Sequence, residues 1–245
     1  MKNFIGKYYV SLIIICIIII FVGITFGPKR SEPQQPQKQQ PPEKSPLEYY
    51  LVAIDPGHGG RDGGSDYDAV KEKDINLAIA KRIKTVYQSW KGQIMLTREG
   101  DYRVTELYPN ERTKQRQDLS GRIKVAQEEN ADLLVSIHVN AASSSLKGPM
   151  VFYQKDNENS KELGGSILEQ LHNVERHQQQ DLIGADYFIL NQANIPAVLV
   201  EVGFITHPEE REKLQAEEYQ EQLACAIAEG IKNFLLSKER HLPRT

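Results

Sequence analysis

Residues 50–64 read YLVAIDPGHGGRDGG, and the fold hinges on how this stretch is parsed. Its first five residues, YLVAI, form a short apolar run with a β-branched bias, the pattern of a buried strand. Asp55, Pro56 and a cluster of glycines then stop the strand and predict a loop at its carboxyl end. In open α/β sheets ligands bind at that edge. His58 sits in the loop among glycines that let the backbone approach a ligand closely.

A phosphate cradle would need Gly-Lys-Ser/Thr at the end of the loop, or a third glycine where Asp62 stands, and neither is present. A metal site finds partners elsewhere in the chain. His138 ends a second apolar run, LLVSIHVNA, Glu201 lies in a third, PAVLVEVGF, and Glu72 opens an amphipathic helical pattern. Two histidines and a glutamate from separate segments fit an open catalytic zinc site with water in the fourth position. A further glutamate would serve as base for that water.

Each of these residues has a plainer reading. His58 is also compatible with a surface loop, and His138 with a core histidine satisfied by one hydrogen bond. Asp62, Asp66, Asp68 and Asp74 compete with Glu72; a capping role for Asp74 over Ile75 and Asn76 leaves Glu72 free. Glu201 breaks an apolar strand, which is costly unless the charge is paired or its pKa shifts. It reads as an active-site carboxylate, or as one half of an ion pair with Arg122. Asp55, Asn140 and Arg122 are further candidates for substrate contact or support of the ligands. Lys114, Arg116 and Arg122 form a basic cluster expected to attract carboxylates at the groove. His172, His177, His207 and His241 lie in helical or polar segments and are expected to be solvated.

The chain has 245 residues and a net charge of -3, with no basic, aromatic-laced face for nucleic acid. Its two cysteines, Cys16 and Cys225, make neither a disulfide framework nor a cysteine-type zinc site. Residues 8–26 are almost unbroken Ile, Val, Leu and Phe, with no small-residue cleavage site after them, and predict an uncleaved membrane anchor. A tract rich in Pro and Gln follows, unable to bury a core. The expected division is 1–27 anchor, 28–48 linker, 49–237 catalytic domain and 238–245 polar tail.

Within the domain, strands are expected at 50–54, 93–97, 133–139, 148–153, 187–190 and 197–202. Helices are expected at 75–90, 119–129, 160–174 and 219–236, with a long charged loop over 98–117. Alternation of this kind predicts one α/β domain, a mostly parallel sheet of about six strands with helices on both faces.

Four motifs in order, DPGHGG, EKDINLA, SIHVNA and PAVLVEVGFIT followed by PEE, resemble those of the zinc-dependent N-acetylmuramoyl-L-alanine amidases that cut bacterial peptidoglycan. The resemblance covers nearly the whole domain. It implies that His58, Glu72 and His138 bind zinc and that Glu201 is catalytic. It implies peptidoglycan as substrate, a site of action outside the cytoplasm and, in some members, an activating protein partner. The anchor and the charged 98–117 segment resemble the subgroup that acts on spore cortex, where peptide removal prepares muramic acid for lactam formation. A binding-only relative would be expected to lack one of these residues, and a zinc deacetylase or peptidase would share the metal chemistry. The chain departs from the family pattern at GGSDYDAV, and at Thr206-His207 where Ser-Asn often stands. The connection over 153–160 is too short for the inserted helix that plugs the site in some members.

Overall fold

A computed structural model describes residues 45–104, 113–175 and 182–239. The expected anchor, most of the linker, His177 and His241 fall outside them. Among the described residues no helix is long and apolar enough to cross a membrane.

In chain order the elements are β1 (Leu51–Pro56), the two-residue strands β2 (Asp66–Tyr67) and β3 (Val70–Lys71), α1 (Glu72–Ser89), β4 (Gln93–Leu96), α2 (Lys114–Glu128), β5 (Leu133–Asn140) and β6 (Met150–Gln154). They continue with α3 (Glu158–Val174), β7 (Leu182–Ala185), the short α4 (Phe188–Asn191), β8 (Ala197–Phe204), α5 (Pro208–Gln215) and α6 (Glu217–Glu239). Six strands make one sheet in the order β4-β1-β5-β8-β6-β7. The pairs β4–β1, β1–β5 and β5–β8 are parallel, and β6 meets β8 antiparallel. The sheet is mostly parallel with helices on both faces, as expected.

Strand side chains alternate between faces, and the two cores follow that alternation. Val52, Ile54, Val135, Ile137, Val198 and Val200 pack with the apolar stripes of α1, α3 and α6. Ala53, Leu134, Ala197 and Leu199 pack with Ile123 and Ala126 of α2 and Ile189 and Leu190 of α4. Asp55, Ser136, His138 and Glu201 continue this second set toward the carboxyl ends of their strands. Glu201 therefore does not interrupt the apolar face of β8; it extends the face that the smaller helices leave partly open.

His138 is the direct register partner of Glu201. Two residues on, Asn140 pairs with Phe204, so Val202 and Gly203 together oppose Val139. This is a β-bulge, a device common beside active sites.

Several expectations are corrected. The strand expected over 187–190 is the short helix α4; a brief apolar run such as Phe188-Ile189-Leu190 does not distinguish strand from helix by periodicity. The strand in that region is β7, which pairs with β6. Helix α2 starts at Lys114, inside the expected loop, because Thr113 caps it by accepting from the Arg116 amide at 3.2 Å. Asp74 does not cap α1: the helix begins at Glu72 and Asp74 is exposed in its first turn. Helix α5, with Pro208 in its first turn, was not expected at all.

Gly230 of α6 lies against α3, where an added Cβ would sit 2.5 Å from the Ile167 Cα. In an open helix Gly→Ala stabilises by roughly 1 kcal/mol, but overpacking against backbone costs about 1–3 kcal/mol. Gly230→Ala is therefore expected to lower the thermal midpoint. A midpoint equal to or above the wild type's would show that the two helices separate freely.

Candidate metal centre

The loop after β1 carries His58 in a left-handed conformation, φ +62°, which is uncommon without glycine. Its neighbours make room. A Cβ at Gly57 would lie 2.3 Å from the His138 ring, and one at Gly64 would lie 2.5 Å from Glu72 Oε2. Bare backbone at these points lets the histidines and the carboxylate close in on one another.

Glu72 is the first residue of α1, where the helix dipole favours a carboxylate. Its Oε1 lies 2.9 Å from His138 Nδ1 and 3.2 Å from His58 Nε2. Its Oε2 accepts from the Ser65 amide at 2.8 Å, which fixes the carboxylate's orientation. Together His58, Glu72 and His138 offer three ligand atoms within 4.8 Å of one another. This donor set, two imidazoles and one carboxylate with an open side, fits zinc. The open side faces a pocket that Asn140 and Glu201 also line.

Behind His58, its second ring nitrogen, Nδ1, lies 3.1 Å from Asp62 Oδ2. A carboxylate on the far nitrogen of a ligating histidine sets its tautomer and ring orientation. Asp55, one candidate for that support, does not provide it, since its carboxylate bonds to Thr97, Ser136 and Arg122. Asp62 reaches His58 because Gly59 and Asp62 exchange backbone hydrogen bonds of 2.8 and 3.1 Å, which fold the loop back. The glycines on either side of Arg61-Asp62 were the signal for that turn.

The charges settle accordingly. Burial lowers the His58 pKa, but the Glu72 and Asp62 carboxylates outweigh it and raise the group to about 9. Burial works against the Glu72 charge, yet the two histidines hold its carboxyl far below the usual range. Burial pushes Glu201 up to about 7, with His138 opposing and Glu72 reinforcing the shift. Glu201 Oε2 is buried and has no hydrogen-bond partner among the described residues.

Arg122 is not the partner of Glu201, nor does it belong to a basic rim with Lys114 and Arg116. It is 1% exposed and pairs with Asp55 at 2.7 Å and Asp118 at 2.7 Å. Lys114 and Arg116 are exposed, and the Arg116 guanidinium sits over the Phe188 ring, 4.7 Å from its centroid. Two histidines expected to be solvated are half-buried, and His172 Nε2 and His207 Nδ1 have no partner among the described residues.

Asp55 accepts hydrogen bonds from Thr97, Ser136 and Arg122 at 2.5, 2.6 and 2.7 Å. Burial raises its pKa, but Arg122 and the two hydroxyls win and hold it at about 2, below the unfolded 3.8. A depressed carboxylate contributes stability that is present above 3.8 and lost as pH falls through 2, here worth about 2 kcal/mol. Asp55→Asn strands the Arg122 charge and is expected to cost roughly 3–5 kcal/mol at pH 7. Urea melts should show the gap from wild type narrowing by about 2 kcal/mol between pH 5 and pH 2; a constant gap would contradict the assignment.

Comparison with known proteins decides the family. The model of the N-acetylmuramoyl-L-alanine amidase family matches residues 52–233. The chain belongs to that family. Among relatives of this amidase, the germination-specific N-acetylmuramoyl-L-alanine amidase of Bacillus subtilis is 31% identical over 195 residues, 77% of this chain and 81% of that protein. The CwlD amidase of Clostridioides difficile, solved in complex with the GerS lipoprotein, superposes with a TM-score of 0.72 at 36% identity, covering 77% of this chain and 99% of that one. The catalytic domain of the CwlV amidase of Paenibacillus polymyxa follows at a TM-score of 0.66 and 29% identity, over 76% and 98%. Membership makes the amidase a peptidoglycan hydrolase in class, and its fold is the one these neighbours share.

Proposed function

We propose that this amidase is zinc-dependent, with His58, Glu72 and His138 as ligands and Glu201 as general base, and that it cleaves the amide between the muramic lactyl group and L-alanine. The observation that carries the reading is the convergence of the three donor atoms in a pocket whose wall includes a buried carboxylate with an unpaired oxygen. Zinc held there supplies Lewis acidity toward water and the scissile carbonyl. Glu201 takes the proton of the attacking water and delivers it to the departing alanine amine, the bond that breaks being C–N. Asp62 Oδ2, 3.1 Å from His58 Nδ1, is placed to orient that ring. Asn140 holds the turn after β8, its carbonyl accepting from the Ile205 amide at 2.8 Å.

The same reading places the catalytic domain outside the cytoplasm, tethered by the apolar run at 8–26, with spore cortex as its substrate and a protein partner that activates it. The likeness to a germination-specific amidase and to CwlD, solved with a lipoprotein, supports the last two points. The purified protein, loaded with zinc, is tested on isolated peptidoglycan with mass spectrometry of the products. Peptides with a free amino-terminal alanine support the amidase; release of acetate with peptides still attached would make it a deacetylase. Protease treatment of intact protoplasts tests the location, since a domain that survives until lysis lies inside.

A further inference from the structure

Arg98 ends the segment that leaves β4, and nothing in its sequence position marks it. It is 1% exposed. No carboxylate lies within ion-pair distance of it among the described residues, and its hydrogen bonds all go to backbone carbonyls. Nε donates to Pro56 O at 2.8 Å and Nη2 to Gly57 O at 3.0 Å, two successive carbonyls of the loop that carries His58. Nη2 also donates to Lys73 O at 2.9 Å, in the first turn of α1 beside Glu72. Nη1 donates to Gly100 O at 2.9 Å. The side-chain stem runs beneath Gly59, where an added Cβ would lie 3.1 Å from its Cδ.

A buried cation without an ion-pair partner is an expensive way to fill a core, and apolar residues of similar size do it better. Its geometry is therefore informative. We propose that Arg98 is a positioning residue of the metal centre: it fastens the loop bearing His58 to the helix end bearing Glu72 and sets the spacing of the two ligands before a metal arrives. The proposal rests on the zinc reading above. The planar guanidinium fork makes the clamp possible, because one rigid group reaches the carbonyls of two segments at once. Arg122 steadies the same loop, donating to Pro56 O at 2.6 Å and to His58 O. Asn76 adds a bond from α1 to Gly57 O at 3.3 Å. The loop that carries the left-handed His58 is thus held by donors from α1, from α2 and from the segment after β4.

Arg98→Lys keeps the charge and loses the fork. Zinc affinity is measured by competition with a chelator for wild type, Arg98→Lys and Ile167→Val, beside the metal-free melting temperature of each. Ile167→Val is a stability control in the α3 core, remote from the site. The expected result is a 10–100-fold weaker affinity for Arg98→Lys, the usual effect of losing support behind a ligand, with turnover restored at excess zinc. Ile167→Val should melt lower and bind zinc as the wild type does. If Arg98→Lys binds zinc within twofold of the wild type, or if Ile167→Val weakens zinc equally, the clamp is refuted. A variant that folds neither with nor without zinc makes Arg98 a folding residue and also overturns the proposal. A wild type that binds no zinc would instead remove the metal reading itself.

Discussion

Glu201→Gln is expected to lower turnover by about 10²–10⁴-fold, the usual worth of general acid–base catalysis, while zinc stays bound. Glutamine preserves the volume and hydrogen-bonding shape but cannot accept the proton of the attacking water. The carboxyl group suits proton transfer, because burial lifts its pKa to about 7 and it both takes and gives up a proton near neutral pH. Nor does any ion pair among the described residues hold it in place, since Arg122 is committed to Asp55 and Asp118. Stability should therefore change little, or rise, because a buried unpaired charge has gone. Zinc per protein and turnover are measured on the same sample. Loss of zinc would make Glu201 a ligand and reopen the place of Glu72; retained zinc with near-full turnover would move the base elsewhere.

His138→Ala is expected to do the opposite, removing zinc and activity together. Changes behind the ligands already cost 10–100-fold in metal affinity, so deleting a ligand should cost more than about 100-fold. Asp62 and Asp55 are poor replacement donors, because Asp62 is turned to the far nitrogen of His58 and Asp55 is enclosed by Thr97, Ser136 and Arg122. The fold should survive, as His138 stands at the open end of β5 and not in either apolar core. Circular dichroism beside metal analysis checks both halves. A variant with full zinc content would mean that Glu201 or a second water has taken the corner left by His138 and that His138 is dispensable.

The contrast between these variants shows what sequence could convey. The strands β1, β5 and β8 were legible because their apolar runs are bounded by Gly, Pro or Asn, and the site residues stand at or near their ends. Helix α4 and strand β7 were not, since four residues are too few for a period to declare itself. The outer support was misread for a different reason. Asp55 opens the motif three residues before His58, but alternation along β1 aims it at Arg122 on α2, 67 residues away. Asp62 turns to His58 only because the loop folds back through Gly59. Arg98 carried no signal, because a side chain that bonds only to carbonyls leaves no partner residue to find.

The bulge between β5 and β8 bears on how this family can change length. Val202 and Gly203 occupy the space of one residue opposite Val139. A deletion of Gly203 would restore the ladder with Phe204 still opposite Asn140, and would remove the bend and extra twist that the bulge puts into β8 just past Glu201. Glu201 would be unaltered in identity and displaced in setting. Gaps should therefore be tolerated in the turn after β6 but purged from the two residues after the base, so that here the count of residues is inherited as strictly as their chemistry.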